Sequence, residues 1–260
     1  MAELDGEPAN ADQLKALALT NYGHFTSMRV EDGKVRGLSL HLERLTRDCM
    51  ALFGRGLDVE RVRAFVRHAI DGRGDAMVVR VSVFDPALQL GHPGDASDPR
   101  ILVTWRTAVS VPQPPMRVSS VAYERDLPSV KHVGLFGSLH HRRQAQLAGF
   151  DDTLFVDGQG RIAEGGTWNV GFYDGDRLVW PEADYLPGVT MALLSQAHDG
   201  PTSTLAIQPA ELPRGYSVFA TNAASGVRAI IAIDDRELAS STSMLDTLRK
   251  QYNDLPADPL

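Results

Sequence analysis

Residues 17–42 hold short apolar and β-branched runs on either side of Glu31-Asp32-Gly33-Lys34. Asp-Gly between such runs is a strong turn signal, so a β-hairpin is expected there, delivering the chain to His41. From His41 the period changes to that of a helix. Leu42, Leu45, Cys49 and Leu52 fall on one stripe of 41–54, and Val59, Val62, Phe65, Val66, Ala69 and Ile70 on one stripe of 58–72, with Asp58 as cap and Gly72 as terminator. Stretches 76–84 and 100–109 read as strands, separated by the Gly/Pro/Asp-rich loop 85–99. Between residues 110 and 116, "SVPQPPM" places three prolines in four positions, which neither a helix nor a central strand accommodates. Beyond it, 117–124 and 153–181 read as strands joined by Asp-Gly turns. Stretches 137–149 and 188–200 read as helices, and the tail from Asn253 is expected to fray.

The expected organisation is therefore an N-terminal α/β domain (1–109), a linker (110–116) and a larger, β-rich C-terminal domain with helices (117–260). In a chain of 260 residues with 43% apolar content, each part has material for a core. A formal net charge of −7 opposes a general phosphate-backbone binder, so nucleic acid is not an expected partner. The single cysteine, Cys49, supports neither a disulfide nor a cysteine-built zinc site, which fits a reducing cytoplasm. No run reaches the ~18 apolar residues of a membrane span, and the acidic start does not read as a secretion signal. The histidines show no pair at helical ligand spacing with a nearby acid, so no metal is expected.

Lys131 is set among prolines, glycines and apolar residues in "DLPSVKHVGLFG". Partial burial favours a neutral amine that condenses with carbonyls, although a surface lysine in a loop reads the same way. Glu164 follows 33 residues later, then Asn169, then Leu186-Pro187-Gly188-Val189-Thr190. In this order and spacing the residues resemble the class IV aminotransferase family, the pyridoxal-phosphate enzymes of fold type IV. Residues 21–45, with Gly23, the Asp-Gly turn and an "HxxRL" block ending in Arg44-Leu45, are similar to the family's N-terminal block. The likeness covers nearly the whole chain.

The resemblance implies an α/β (α+β) fold of type IV and pyridoxal 5'-phosphate held as a Schiff base on Lys131. It implies that Arg44, the helix start at Val189 and Thr190, and the backbone N–H of Ala223 bind the phosphate, that Glu164 faces the pyridine nitrogen, and that Asn169 lies near the cofactor. Each has a physical reason: guanidinium and free helix N–H groups suit a phosphate, and a carboxylate favours the protonated ring. Each also has a plainer alternative: a helix cap at Thr190, a solvated turn residue at Glu164, a turn residue at Asn169. Arg80 matches a strand arginine that binds substrate carboxylate, with Val78 where the family's tyrosine stands, and reads equally as an outward-facing salt-bridge residue. Tyr22 and Phe25 fall in the block that lines the substrate pocket, and read equally as core. Phe136 stands where branched-chain aminotransferases carry a tyrosine. The implied activity is transfer of an amino group from an amino acid or amine to a 2-oxo acid. Aminodeoxychorismate lyase, which eliminates pyruvate, is the alternative within the family. A homodimer is implied, with its active sites between the two domains.

Overall fold

The computed structural model describes residues 2–238 and 242–260. The chain runs through β1 (Ala2–Leu4), β2 (Glu7–Pro8), α1 (Ala11–Thr20), β3 (His24–Glu31), β4 (Lys34–Arg36), α2 (Leu38–Phe53), α3 (Val59–Ala69), β5 (Met77–Phe84) and β6 (Arg100–Thr107). It continues through β7 (Met116–Ala122), α4 (Phe136–Leu147), β8 (Asp152–Val156), β9 (Ile162–Gly165), β10 (Asn169–Tyr173), β11 (Leu178–Pro181) and α5 (Val189–Ala197). Last come β12 (Thr202–Leu205), β13 (Ser217–Asn222), β14 (Gly226–Ile233), β15 (Arg236–Glu237), α6 (Thr242–Asp254) and β16 (Ala257–Pro259). No described helix is long and apolar enough to cross a membrane. Two compact units result. One holds the residues up to Ala108 with Val130–Gly134 and Ala257–Leu260; the other holds Val109–Ser129 and Leu135–Pro256.

In the first unit the strands lie in the order β16-β4-β3-β5-β6-β1-β2. The alternating apolar residues Met28, Val30, Val79, Val81 and Val103 pack under the stripes of α2 (Leu45, Cys49) and α3 (Val62, Val66). The Asp58 side chain caps α3 by accepting from the Glu60 and Arg61 N–H groups. β4 covers β3 only at Val30 and Glu31, which leaves the His24 end of that edge open. Residues 131–133 take this place: His24 bridges His132, the Phe25 N–H donates to the Lys131 carbonyl at 2.9 Å, and the Val133 N–H donates to the Gly23 carbonyl at 2.9 Å. Lys131 is thereby grouped with Tyr22, Phe25, Arg44 and Arg80, whereas the sequence expectation puts it with Glu164 in 117–260.

In the second unit β10-β13-β14-β7-β8-β9 follow one another in hydrogen-bonded order, and β9 pairs back to β10. β10 gives one edge to β13 and splits the other between β11, at Phe172 and Tyr173, and β9, at Asn169. The ring therefore closes, and a closed sheet leaves no edge at the seam. A single pair makes the seam, Asn169 opposite Glu164. Val118, Leu154, Ile162, Val170, Phe172, Val218 and Ile230 form its core.

Two local expectations are corrected. Residues 17–20, read as part of a strand run, end helix α1. Its capping box, Asn10 with Gln13, satisfies two backbone donors at the helix start and outweighs the short apolar run. The tail from Asn253 is not frayed: β16 pairs with β4, the Leu260 N–H donates to the Gly33 carbonyl at 3.1 Å, and Leu260 is buried.

Candidate functional site

The first unit gathers one set of chemical groups around α2 and the open end of β3. Arg44 is buried on α2; His41, one turn earlier, is buried on the same face. His41 Nδ1 is hydrogen-bonded to Thr26 Oγ1 at 2.7 Å. Burial first, then the positive charges of Arg44 and Lys131, depress its pKa to about 3, so the ring is neutral at ordinary pH. Lys131 Nζ lies 4.9 Å from the centroid of the Phe25 ring, and the Arg80 guanidinium lies 3.6 Å from the same centroid. Arg80 Nε donates to Ser82 Oγ at 3.2 Å, and no carboxylate pairs with Arg80 among the described residues. Burial lowers the Arg80 pKa. Arg80 is thus a partly buried cation stacked on an aromatic ring, an arrangement that suits a carboxylate ligand. Phe25 is buried and forms the floor beneath both cations. Tyr22 is placed differently: its hydroxyl donates to the Leu52 carbonyl at 3.0 Å and its ring meets Phe53 edge-on.

The second unit gathers another set at the barrel seam. Glu164 is buried; Oε1 lies 3.5 Å from Arg125 Nη1, and Oε2 accepts from the Leu186 N–H at 3.4 Å. Opposite it, Asn169 Nδ2 donates to the Leu186 carbonyl at 2.8 Å. The Glu164 and Asn169 side chains thus hold one loop residue by its two backbone groups. That loop leads into α5, whose N-cap Gly188 provides no side-chain cap. The first N–H groups of a helix have no intrahelical partner, and such a start suits an anion. Beside it the Thr190 hydroxyl is buried, with no hydrogen-bond partner among the described residues. In the turn after β13 the Asn222 side-chain oxygen accepts from the Ala224 and Ser225 N–H groups, and Ala223 sits at the corner between them.

The sequence-named residues therefore fall into two sets: Lys131, Arg44, Arg80 and Phe25 in one unit, Glu164, Asn169, Val189, Thr190 and Ala223 in the other. Sequence reasoning assigned no site role to His41, Asp48 or Arg125. The first two stand three and four residues from Arg44, a helical spacing that puts all three on one face; no pattern in the sequence singles out Arg125. Phe136 is 80% exposed and stacks on His140. The phenolic hydroxyl nearby belongs to Tyr123, in space that a Cβ at Gly137 would fill, at 2.2 Å. Burial, then Asp126, raises the Tyr123 pKa, and Glu164 adds to the shift while Arg125 opposes it. Among the described residues no three His, Cys, Asp or Glu are grouped to hold a metal ion.

Comparison with known proteins bears on the fold and on the family. No curated protein matches the sequence. Among solved structures, a hypothetical aminotransferase from Mycobacterium tuberculosis in its PLP-bound form is 19% identical, with a TM-score of 0.80 over 97% of each chain. A branched-chain aminotransferase from Thermoproteus uzoniensis, with norvaline, is 20% identical with a TM-score of 0.84, over 96% of this chain and 92% of that one. A fold IV-transaminase from Curtobacterium pusillum is 23% identical with a TM-score of 0.76, over 91% and 85%. At these identities the likeness establishes the fold, that of fold type IV. The model of amino-transferase class IV matches residues 23–233, a span from the start of β3 to the end of β14, and so this chain belongs to the class IV aminotransferase family.

Proposed function

We propose that the chain is a transaminase that uses pyridoxal phosphate to move an amino group from an amino acid to a 2-oxo acid. The observation that carries this reading is Lys131: in a chain of this family, its backbone is bonded on both sides and its amine stands over Phe25 beside Arg80. The residues present fit the cofactor. An uncapped helix start with a buried, unpartnered Thr190 hydroxyl suits its phosphate, and a buried carboxylate at Glu164 suits a protonated ring nitrogen. Bound, the pyridine ring supplies a sink for the electron pair left on the substrate Cα when its proton departs.

In this reading Lys131 would hold the cofactor through Nζ, and its amine would serve as the base that takes up and returns the proton of the substrate Cα. Arg44, the Val189 and Thr190 N–H groups and the Ala223 N–H bind phosphate. Glu164 keeps the ring nitrogen protonated, and Asn169 fixes the Leu186 loop that leads into α5. Arg80 takes a substrate carboxylate, and Phe25 provides aromatic surface for the substrate. The enzyme works in the cytoplasm as a homodimer, and 110–116 serves as the link between its domains.

The direct test is to incubate the purified protein with pyridoxal phosphate, reduce with borohydride and map the labelled peptide, alongside amino-donor assays with 2-oxo acid acceptors. Label on Lys131 with amino transfer supports the reading. Label elsewhere removes it, and pyruvate release from aminodeoxychorismate without amino transfer replaces it with the lyase.

A further inference from the structure

Asp48 lies on α2 one turn beyond Arg44, and it is wholly buried. A carboxylate withdrawn from water needs its oxygens satisfied, and here the two are used differently. Oδ1 accepts from Arg47 Nε at 3.0 Å and Nη2 at 2.7 Å, a pair whose arginine side chain is 50% exposed. Oδ2 accepts from the backbone N–H of Lys131 at 2.9 Å. On the other side of the same residue the Lys131 carbonyl accepts from the Phe25 N–H at 2.9 Å. Lys131 itself belongs to no helix or strand. Its peptide planes are therefore fixed by two bonds from outside the segment, one from β3 and one from Asp48. The β3 bond is what any strand edge offers; the Asp48 bond needs this particular side chain.

We infer that Asp48 is a positioning residue: by holding the Lys131 N–H it fixes the Cα from which the amine reaches its target. This role rests on the reading of Lys131 as the cofactor-binding amine. Four rotatable bonds separate Nζ from Cα, so a small swing of the backbone is amplified at the amine, and misplacement of a reacting group by about 1 Å costs on the order of a hundredfold in rate. The same geometry has a purely structural alternative, in which Asp48 only ties 130–134 to α2 and contributes to stability.

The experiment measures the rate at which pyridoxal phosphate, fixed by borohydride as a secondary amine, labels Lys131 in the whole protein, together with the melting temperature. Asp48→Asn keeps an oxygen for the Lys131 N–H, because the half-exposed Arg47 can turn to water. Asp48→Ala removes the acceptor. The expected result is labelling slowed about tenfold or more in D48A and by less than about threefold in D48N. Labelling at the wild-type rate in D48A, or equal slowing in both variants, overturns the positioning role. If D48A does not fold, amide hydrogen exchange of the wild-type protein decides: strong protection of the Lys131 N–H supports the bond, and exchange at the rate of an open loop overturns it. A wild-type protein that takes no label on Lys131 overturns the cofactor reading and this role together; label on the wild type with unchanged labelling in D48A overturns this role alone.

Discussion

His24 is buried, neither ring nitrogen has a hydrogen-bond partner among the described residues, and burial depresses its pKa from 6.5 to about 4. His41 is depressed further, to about 3. In the unfolded chain both rings take up a proton near pH 6.5, so between there and the folded values the unfolded state binds more protons. Stability is then fully present above pH 6.5 and falls as the pH drops toward 4, by up to about 1.4 kcal/mol per pH unit for each histidine. His24→Leu removes one of these two slopes and one unsatisfied group. Urea unfolding from pH 7.5 to 4.5 is expected to show a shallower acid loss, with stability at pH 7.5 unchanged or raised by about 1 kcal/mol. An unaltered slope would show that His24 does not titrate as its burial requires. Glu164→Gln bears on the chemistry instead. The amide keeps an oxygen for the Leu186 N–H but loses the charge, so cofactor stays bound while turnover falls by about tenfold or more. Near-normal turnover removes Glu164 from the ring nitrogen.

At the scale of elements, the start of α5 depends on a space that only glycine leaves. A Cβ on Gly188 would stand 1.9 Å from Asn169 Oδ1, while the backbone there, φ −74°, is open to any residue. Gly188→Ala therefore acts by contact and not by backbone strain. It pushes Asn169 off the Leu186 carbonyl and displaces the helix start, and cofactor affinity is expected to drop by about tenfold or more in a titration, with the helix content unchanged. Wild-type affinity would detach this helix start from the phosphate. The sequence places a helix at 188–200, and Val189 and Thr190 at its head, from period and glycine alone. It does not tell that Asn169 reaches across to the loop before it, because that hydrogen bond spans 17 residues and two elements. Helix α1 shows the opposite case: Asn10 and Gln13 spell a capping box in the sequence, while the apolar run 17–20 has the local look of a strand.

For the whole molecule, the proposed homodimer predicts a species of twice the 28.3 kDa chain mass in sedimentation at micromolar concentration, with activity confined to it. A fully active monomer would refute the requirement. Much of the fold was legible: the hairpin β3–β4, helices α2 and α3 and strands β5 to β11 follow from periods and turns. The division into units was less so. Lys131 lies well past the proline-rich break yet packs with the unit before it, and the last four residues return to the same unit.

What the sequence determined by itself is what a short stretch of chain decides: apolar period, caps and Asp-Gly turns. Those terms act within a few residues and are the same wherever the stretch ends up. Only the tertiary structure decided which edges were left open and what filled them. Residues 131–133 join β3 because β4 stops short, β16 has a place because the outer edge of β4 is free, and Glu164 meets Asn169 because the sheet closes on itself. A strand's partner is set by the unpaired N–H and C=O groups that the rest of the fold presents, and that of a buried carboxylate such as Asp48 by the donors within its reach, the Lys131 N–H and the Arg47 guanidinium.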